Sequence, residues 1–261
     1  PADWKSHLGQ SDSWFVNAST WGLLMTGRVL NLDHPKEGRP AGFINKLVNR
    51  MGEPVIRRAM REAMKVMGKQ FVLGRDIDEA LKRSQPLFDK GYTYSYDMLG
   101  EAARTRSDAR KYFDDYARAI ERVGKASQAL TDRTPAPSVS IKLSALHPRY
   151  EFGRRDQVLH ELVDSVKRLV AMARERDVAL TIDAEEVDRL EISLEVFRAV
   201  YESQEARGWG HFGLVVQAYA KRALPVLHYL NRLADQQGDE IPLRLVKGAY
   251  WDSEIKESQQ L

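Results

Sequence analysis

Leu243-Arg244-Leu245-Val246-Lys247-Gly248-Ala249-Tyr250-Trp251-Asp252 is a short apolar run that carries two cations and then breaks into a glycine and two large aromatics. Charge at the end of a buried strand is costly unless it faces a ligand, a counter-ion or a partner anion. The runs upstream decide the fold. Val139–Leu143, Val178–Asp183 and Gly213–Gln217 read as strands of the same kind, and the starts at 139, 178, 213 and 243 lie 39, 35 and 30 residues apart. Each interval has room for a strand, a loop and a helix, which is the βα repeat of a parallel sheet. The runs are nearly continuous in apolar residues, as expected of strands covered on both faces.

Helices fill the intervals. Ser107–Gln128 places Tyr112, Phe113, Tyr116, Ile120 and Val123 along one face, and Gln157–Arg174 does the same with Val158, Leu162, Val166 and Leu169. Leu190–Gln204 and Leu224–Ala234 follow, and Tyr92–Asp97 supplies a first strand. The pattern predicts an α/β fold of the (β/α) barrel type over residues 91–261, with a doubly wound open sheet as the alternative. Residues 1–90 read as a helical arm. Trp14–Leu30 is apolar-rich, Gly38-Arg39-Pro40 breaks the chain, and Gly52-Glu53-Pro54 opens a third helix with proline in its first turn. The methionines at 60, 64 and 67 follow a helical period and read as core packing. Asp76-Ile77-Asp78-Glu79 has the form of a capping box.

Bulk properties exclude several classes. The 261 residues are 43% hydrophobic and 30% charged, ordinary for a globular protein. There is no cysteine, so disulfides, thiolate metal sites and cysteine nucleophiles are excluded, and a cytoplasmic protein is the natural expectation. The six histidines lack ligand-like spacing, and no metal is expected. No apolar run approaches the ~20 residues needed to span a bilayer. A net charge of +3, from 40 basic and 37 acidic residues with the signs interspersed, predicts no nucleic-acid contact through this segment. Gly208-Trp209-Gly210-His211-Phe212-Gly213 has dinucleotide-fingerprint spacing but precedes a strand instead of following one, so it reads as a turn.

Function in parallel α/β folds gathers at the carboxyl ends of strands. Those positions here are Asp97, Lys142, Asp183, Gln217, and Arg244 with Lys247. Five successive strands each deliver a polar or charged side chain to one rim, which points to a shared active site. The cations suit an anionic substrate or an electron-rich cofactor. With no thiol, no phosphate-binding loop and no evident Ser-His-Asp spacing, difficult chemistry would need an organic cofactor. A Schiff-base aldolase using Lys142 or Lys247 is a rival reading, and a non-catalytic interaction scaffold is another.

Tyr94–Ala103, Ser140–Tyr150, Leu180–Glu186, Val215–Tyr219 and Arg244–Asp252 together resemble the flavin-dependent proline dehydrogenase domain of bacterial proline utilisation A proteins. The similarity runs from the helical arm to the last residue. It implies a (β/α)8 TIM-type barrel that binds FAD and oxidises L-proline to Δ1-pyrroline-5-carboxylate by hydride transfer to flavin N5. Electrons would pass to a membrane quinone, with the enzyme cytoplasmic and peripherally associated with the inner membrane. Carried over by motif, Lys142 would hold the proline carboxylate. Asp183 and Arg244 would complete the catalytic set, with Arg244 beside flavin N5. Asp97, Glu101 and Tyr250 would line the substrate site, with Glu101 pairing a substrate-binding arginine in the family. Asp183, Ala184, Gln217, Arg244, Val246, Lys247, Gly248, Ala249, Tyr250 and Trp251 would contact the flavin. The family barrel has eight strands and about five βα units are legible. The expectation is therefore a fragment whose partners include a missing C-terminal barrel segment and an aldehyde dehydrogenase domain.

Overall fold

The computed structural model describes residues 71–127 and 137–260, with Arg61, Met64, Lys65, Met67 and Gly68 ahead of them. The expected helices at 14–30, after Pro40 and from Pro54 onward lie outside the described residues, apart from those last positions. Met60 lies outside the described residues, and Met64 and Met67 are exposed, which corrects the expectation of core packing for those two. Periodicity marks a face but says nothing about what covers it. The chain divides into two units, residues 1–75 and 76–261.

Five strands among the described residues form one parallel sheet in the order of the sequence: β1 (Ser95–Asp97), β2 (Ser138–Ile141), β3 (Ala179–Ile182), β4 (Phe212–Gln217) and β5 (Leu243–Val246). Each strand pairs with the one before it, for example Ser140 with Thr181 and Val215 with Arg244. A doubly wound sheet reverses its strand order at a switch point. None occurs here, and the sheet curls as part of a (β/α) barrel.

The helices that pack on the sheet sit on its convex face. Helix α1 is Ile77–Phe88, α2 Arg106–Ser127, α3 the single turn Leu143–Leu146, α4 Arg155–Glu175, α5 Leu190–Tyr201, α6 Ala223–Gln237 and α7 Trp251–Ser258. Local chemistry starts two of them. The Asp76 carboxylate accepts from the Glu79 N–H at 2.8 Å, capping α1. Thr105 and Asp108 cap α2 reciprocally, each side chain accepting the other's backbone N–H at 3.1 and 2.9 Å. The predicted face of α4, Val158, Leu162, Val166 and Leu169, is buried, as are Tyr116, Ile120 and Val123 on α2, while the predicted Tyr112 and Phe113 are half-buried. These two helices cover the outward strand positions Val139, Ile141, Leu180 and Ile182, and α6 packs on β4.

Three expectations are corrected in detail. The second strand ends at Ile141, because residues 143–146 turn into α3 with Lys142 at its N-cap. The concave face is not apolar throughout, since Ser95, Ser140, Thr181 and Arg244 alternate with the outward residues. Finally, β5 is covered less than the others, with its outward Leu243 and Leu245 exposed. Gly208 and Gly210 take φ of +67° and +70° just ahead of β4, so that segment is the turn expected.

Candidate active site

Side chains alternate across a strand, so the curl aims one set inward from every strand toward a common centre. Asp97 leaves β1, Lys142 follows β2, Asp183 follows β3, and Arg244 rises from the middle of β5. The Lys142 ammonium donates to Asp97 Oδ1 at 2.8 Å and to Asp183 Oδ2 at 3.3 Å. Arg244 Nη2 donates to the other Asp183 oxygen. Its Nη1 donates to Ser95 Oγ and Ser140 Oγ, both at 2.9 Å, and those hydroxyls lie 3.2 Å apart. Arg244 therefore reaches from the fifth strand to the first three. The centre is a four-charge chain, Asp97–Lys142–Asp183–Arg244, with no net charge.

Burial makes the order of that chain matter. The Lys142 and Asp183 side chains are 14% and 13% exposed. Burial opposes the Lys142 charge, but its hydrogen bond to Asp97 and the fields of Asp97 and Asp183 outweigh this and raise its pKa. Burial raises the Asp183 pKa, with Lys142 and Arg244 pulling against it. Lys142 is held as an ammonium, with two of its three N–H groups directed to carboxylates.

A folded pKa above the unfolded value of about 10.4 gives stability that is complete below that value and lost as pH rises through the folded pKa. We expect the difference in melting temperature between the parent and Lys142→Met to be constant from about pH 7 to 9. It should shrink above about pH 10.5. A thermal melt series across that range checks it.

The remaining rim residues surround this centre. Gln217 closes β4, donating from Nε2 to the Glu185 carbonyl at 2.9 Å and accepting the Ala249 N–H at Oε1, 3.1 Å away. Asp183, Ala184, Glu185, Gln217, Tyr150 and Tyr219 line a pocket at the ends of β3 and β4. Gly248 has φ of +115°, and a Cβ there would lie 2.2 Å from Tyr219 Cδ1. Burial raises the Tyr250 pKa, with the fields of Glu186, Glu101 and Glu185 adding to it. Val246 pairs with Gln217 in the sheet. Glu101, Lys247, Ala249 and Trp251 are exposed. The Lys247 side chain joins none of the ion pairs of the rim.

Ser95 and Ser140, which bracket Arg244, escaped the sequence reading, as did Glu185. Strand alternation held the signal for the serines, since Ser95 and Ser140 stand two residues before Asp97 and Lys142. Glu185 carried a weaker one, two residues beyond Asp183.

Residues 80–261 match the family Proline dehydrogenase. Residues 1–71 match the DNA-binding domain of Proline dehydrogenase, which runs against the expectation of no nucleic-acid contact through this segment. That expectation rested on net charge, which averages away any local face. The Bifunctional protein PutA of Salmonella typhimurium is 48% identical over 257 residues, covering 98% of this chain. The chain spans about a fifth (19%) of that relative's length. A Proline dehydrogenase of Deinococcus radiodurans is 28% identical over 197 residues, 76% of this chain and 57% of its own length. Among solved structures, proline utilization A of Bradyrhizobium japonicum superposes with a TM-score of 0.68 at 43% identity. That match covers 98% of this chain and 26% of the other. With a barrel-type sheet whose charged centre is built from the matched segment, this chain belongs to the proline dehydrogenase family.

Proposed function

We propose that this chain carries the proline-oxidising site of a longer enzyme, converting L-proline to Δ1-pyrroline-5-carboxylate with FAD as cofactor. The observation that carries this reading is the alternation of charge at the strand ends. A zwitterionic amino acid has one carboxylate and one ammonium a few ångströms apart. A centre in which Lys142 and Arg244 interleave with Asp97 and Asp183 complements both while remaining neutral overall. Lys142 has one N–H left for the substrate carboxylate, and the two aspartates aim it. Their carboxylates would also face the substrate amine.

The residues fit a flavin. Gly248 lets the backbone after β5 approach Tyr219 where no side chain has room. Arg244 is a fixed cation where negative charge would gather in a two-electron oxidation, the general device for stabilising such charge. Gln217, Val246, Lys247, Gly248, Ala249, Tyr250 and Trp251, with Asp183 and Ala184, would hold the ring. Flavin, when bound, supplies the two-electron acceptor that the side chains lack. Asp97, Glu101 and Tyr250 would close the substrate side. A membrane quinone is the proposed terminal acceptor, with peripheral attachment to the inner membrane. No helix among the described residues is long and apolar enough to cross a membrane.

The Schiff-base reading loses ground on Lys142. A lysine nucleophile needs its ammonium destabilised, and here the neighbouring carboxylates stabilise it. The visible spectrum of the purified protein tests the proposal, taken anaerobically before and after L-proline. Flavin bands that bleach with L-proline support it. Flavin bands that do not bleach mean a cofactor site lacking its substrate half, and borohydride-trapped adducts on Lys142 would restore the aldolase reading.

A further inference from the structure

Glu185 lies two residues beyond Asp183 and takes no part in the charged centre, yet its side chain is only 4% exposed. One carboxylate oxygen accepts the Ser144 N–H at 3.0 Å, in the first turn after Lys142. The other accepts from Arg189 Nη1 at 3.1 Å. The Glu185 main-chain carbonyl accepts from Gln217, whose own oxygen takes the Ala249 N–H. On the far side, Ser144 accepts the Ala102 N–H at Oγ, 3.1 Å away, and the Ala103 N–H at its carbonyl, 2.8 Å away. Ala102 has φ of +54°, an unfavourable conformation for a residue with a Cβ. It is held where the belt begins.

These bonds run in order through the loops after β1, β2 and β3, the end of β4 and the loop after β5. Only one side chain in the belt bonds both to the loop that carries Lys142 and, through its own peptide, to Gln217. We infer that Glu185 is a positioning residue. It holds the loop after Lys142 in register with Gln217 and the Ala249–Tyr250 loop, so that substrate-side and cofactor-side groups face one another. The inference rests on the proline-oxidising reading for which molecules those groups meet. The belt itself is geometry.

The chemistry requires a carboxylate. Both oxygens face donors, the Ser144 N–H and the Arg189 guanidinium, and an amide of the same size would turn an NH2 toward one of them. Burial leaves little water to replace the lost acceptor, so the mismatch falls on the loops.

The test is Glu185→Gln, read by hydrogen exchange of the purified protein and by proline kinetics. Exchange is expected to rise at least tenfold at residues 143–146 and also at 247–251, which Glu185 does not touch. The KM for L-proline is expected to rise at least tenfold, with kcat changing less. A rise confined to 143–146, or kinetic constants within twofold of the parent, overturns the inference. If the parent does not oxidise proline, the functional reading fails and exchange alone judges the belt. Should Glu185→Gln fail to fold, Gln217→Leu cuts the belt one link further on. Exchange should then rise at 247–251 with 143–146 unchanged, and a rise in both segments or in neither overturns the proposed order.

Discussion

Gly248→Ala is expected to yield protein that purifies without flavin and does not turn over proline. The new Cβ would sit 2.2 and 2.5 Å from two Tyr219 ring carbons and 3.1 Å from Gln217 Oε1. Tyr219 is tethered at both ends. Its hydroxyl donates to Glu254 on α7 at 2.7 Å, and its N–H donates to the Lys247 carbonyl at 3.3 Å. The second Glu254 oxygen holds the Val187 N–H at 3.1 Å, so the ring is tied to the loops after β3 and β5 together. Either the ring breaks these tethers or the loop moves, carrying Ala249 off Gln217.

Overpacking costs about 1–3 kcal/mol, and holding a non-glycine residue in so unfavourable a conformation costs roughly as much again. For a protein of this size that corresponds to a fall of about 5–15 °C in melting temperature. The functional loss should exceed the stability loss, because the displaced segment is the proposed cofactor loop. Flavin content at purification and a thermal melt decide it. Parental flavin content would mean that the loop tolerates the methyl and that Gly248 is not needed for close approach.

Asp183→Ala is expected to be the most damaging change within the charged centre. The carboxylate is shared by Lys142 and Arg244, and its removal leaves two cations of which only Lys142 keeps a counter-ion, Asp97. Arg244 falls back on the hydroxyls of Ser95 and Ser140. Removing one partner of a buried pair costs about 3–5 kcal/mol, and the partial exposure of Arg244 places this case near the low end. Catalysis should suffer more, since a misplacement of about 1 Å in a positioned group can cost a hundredfold. A loss of at least about a hundredfold in kcat/KM for L-proline is therefore expected. Asp183→Asn keeps the volume and one acceptor, so it should recover part of the melting temperature but little of the activity. Equal recovery of both would reduce Asp183 to a structural role.

Much of the architecture was legible because its causes are local. The helical faces of Tyr116–Val123 and Val158–Leu169 follow from a 3.6-residue period. The turn at 208–213 follows from its place ahead of a strand. Lys142, Asp183, Gln217 and Arg244 could be nominated together because a repeating βα unit puts equivalent positions on one rim. The limits were not local. The strand expected to end at Leu143 stops at Ile141, because the Ser144 N–H is drawn to Glu185, 41 residues further along the chain. No pattern within 139–146 encodes that partner.

By itself, then, the sequence determined the repeat, the parallel sheet and the set of charged groups on the rim, since hydrophobic period and strand-end position are properties of neighbouring residues. Only the tertiary structure decided how those groups are shared. Arg244 meets Ser95 across 149 residues of chain and Asp183 across 61, which requires the curl that carries β5 around toward β1. Which carboxylate serves which cation depends on that curvature. It arises from twist and helix packing summed over the whole sheet, and no single segment contains it.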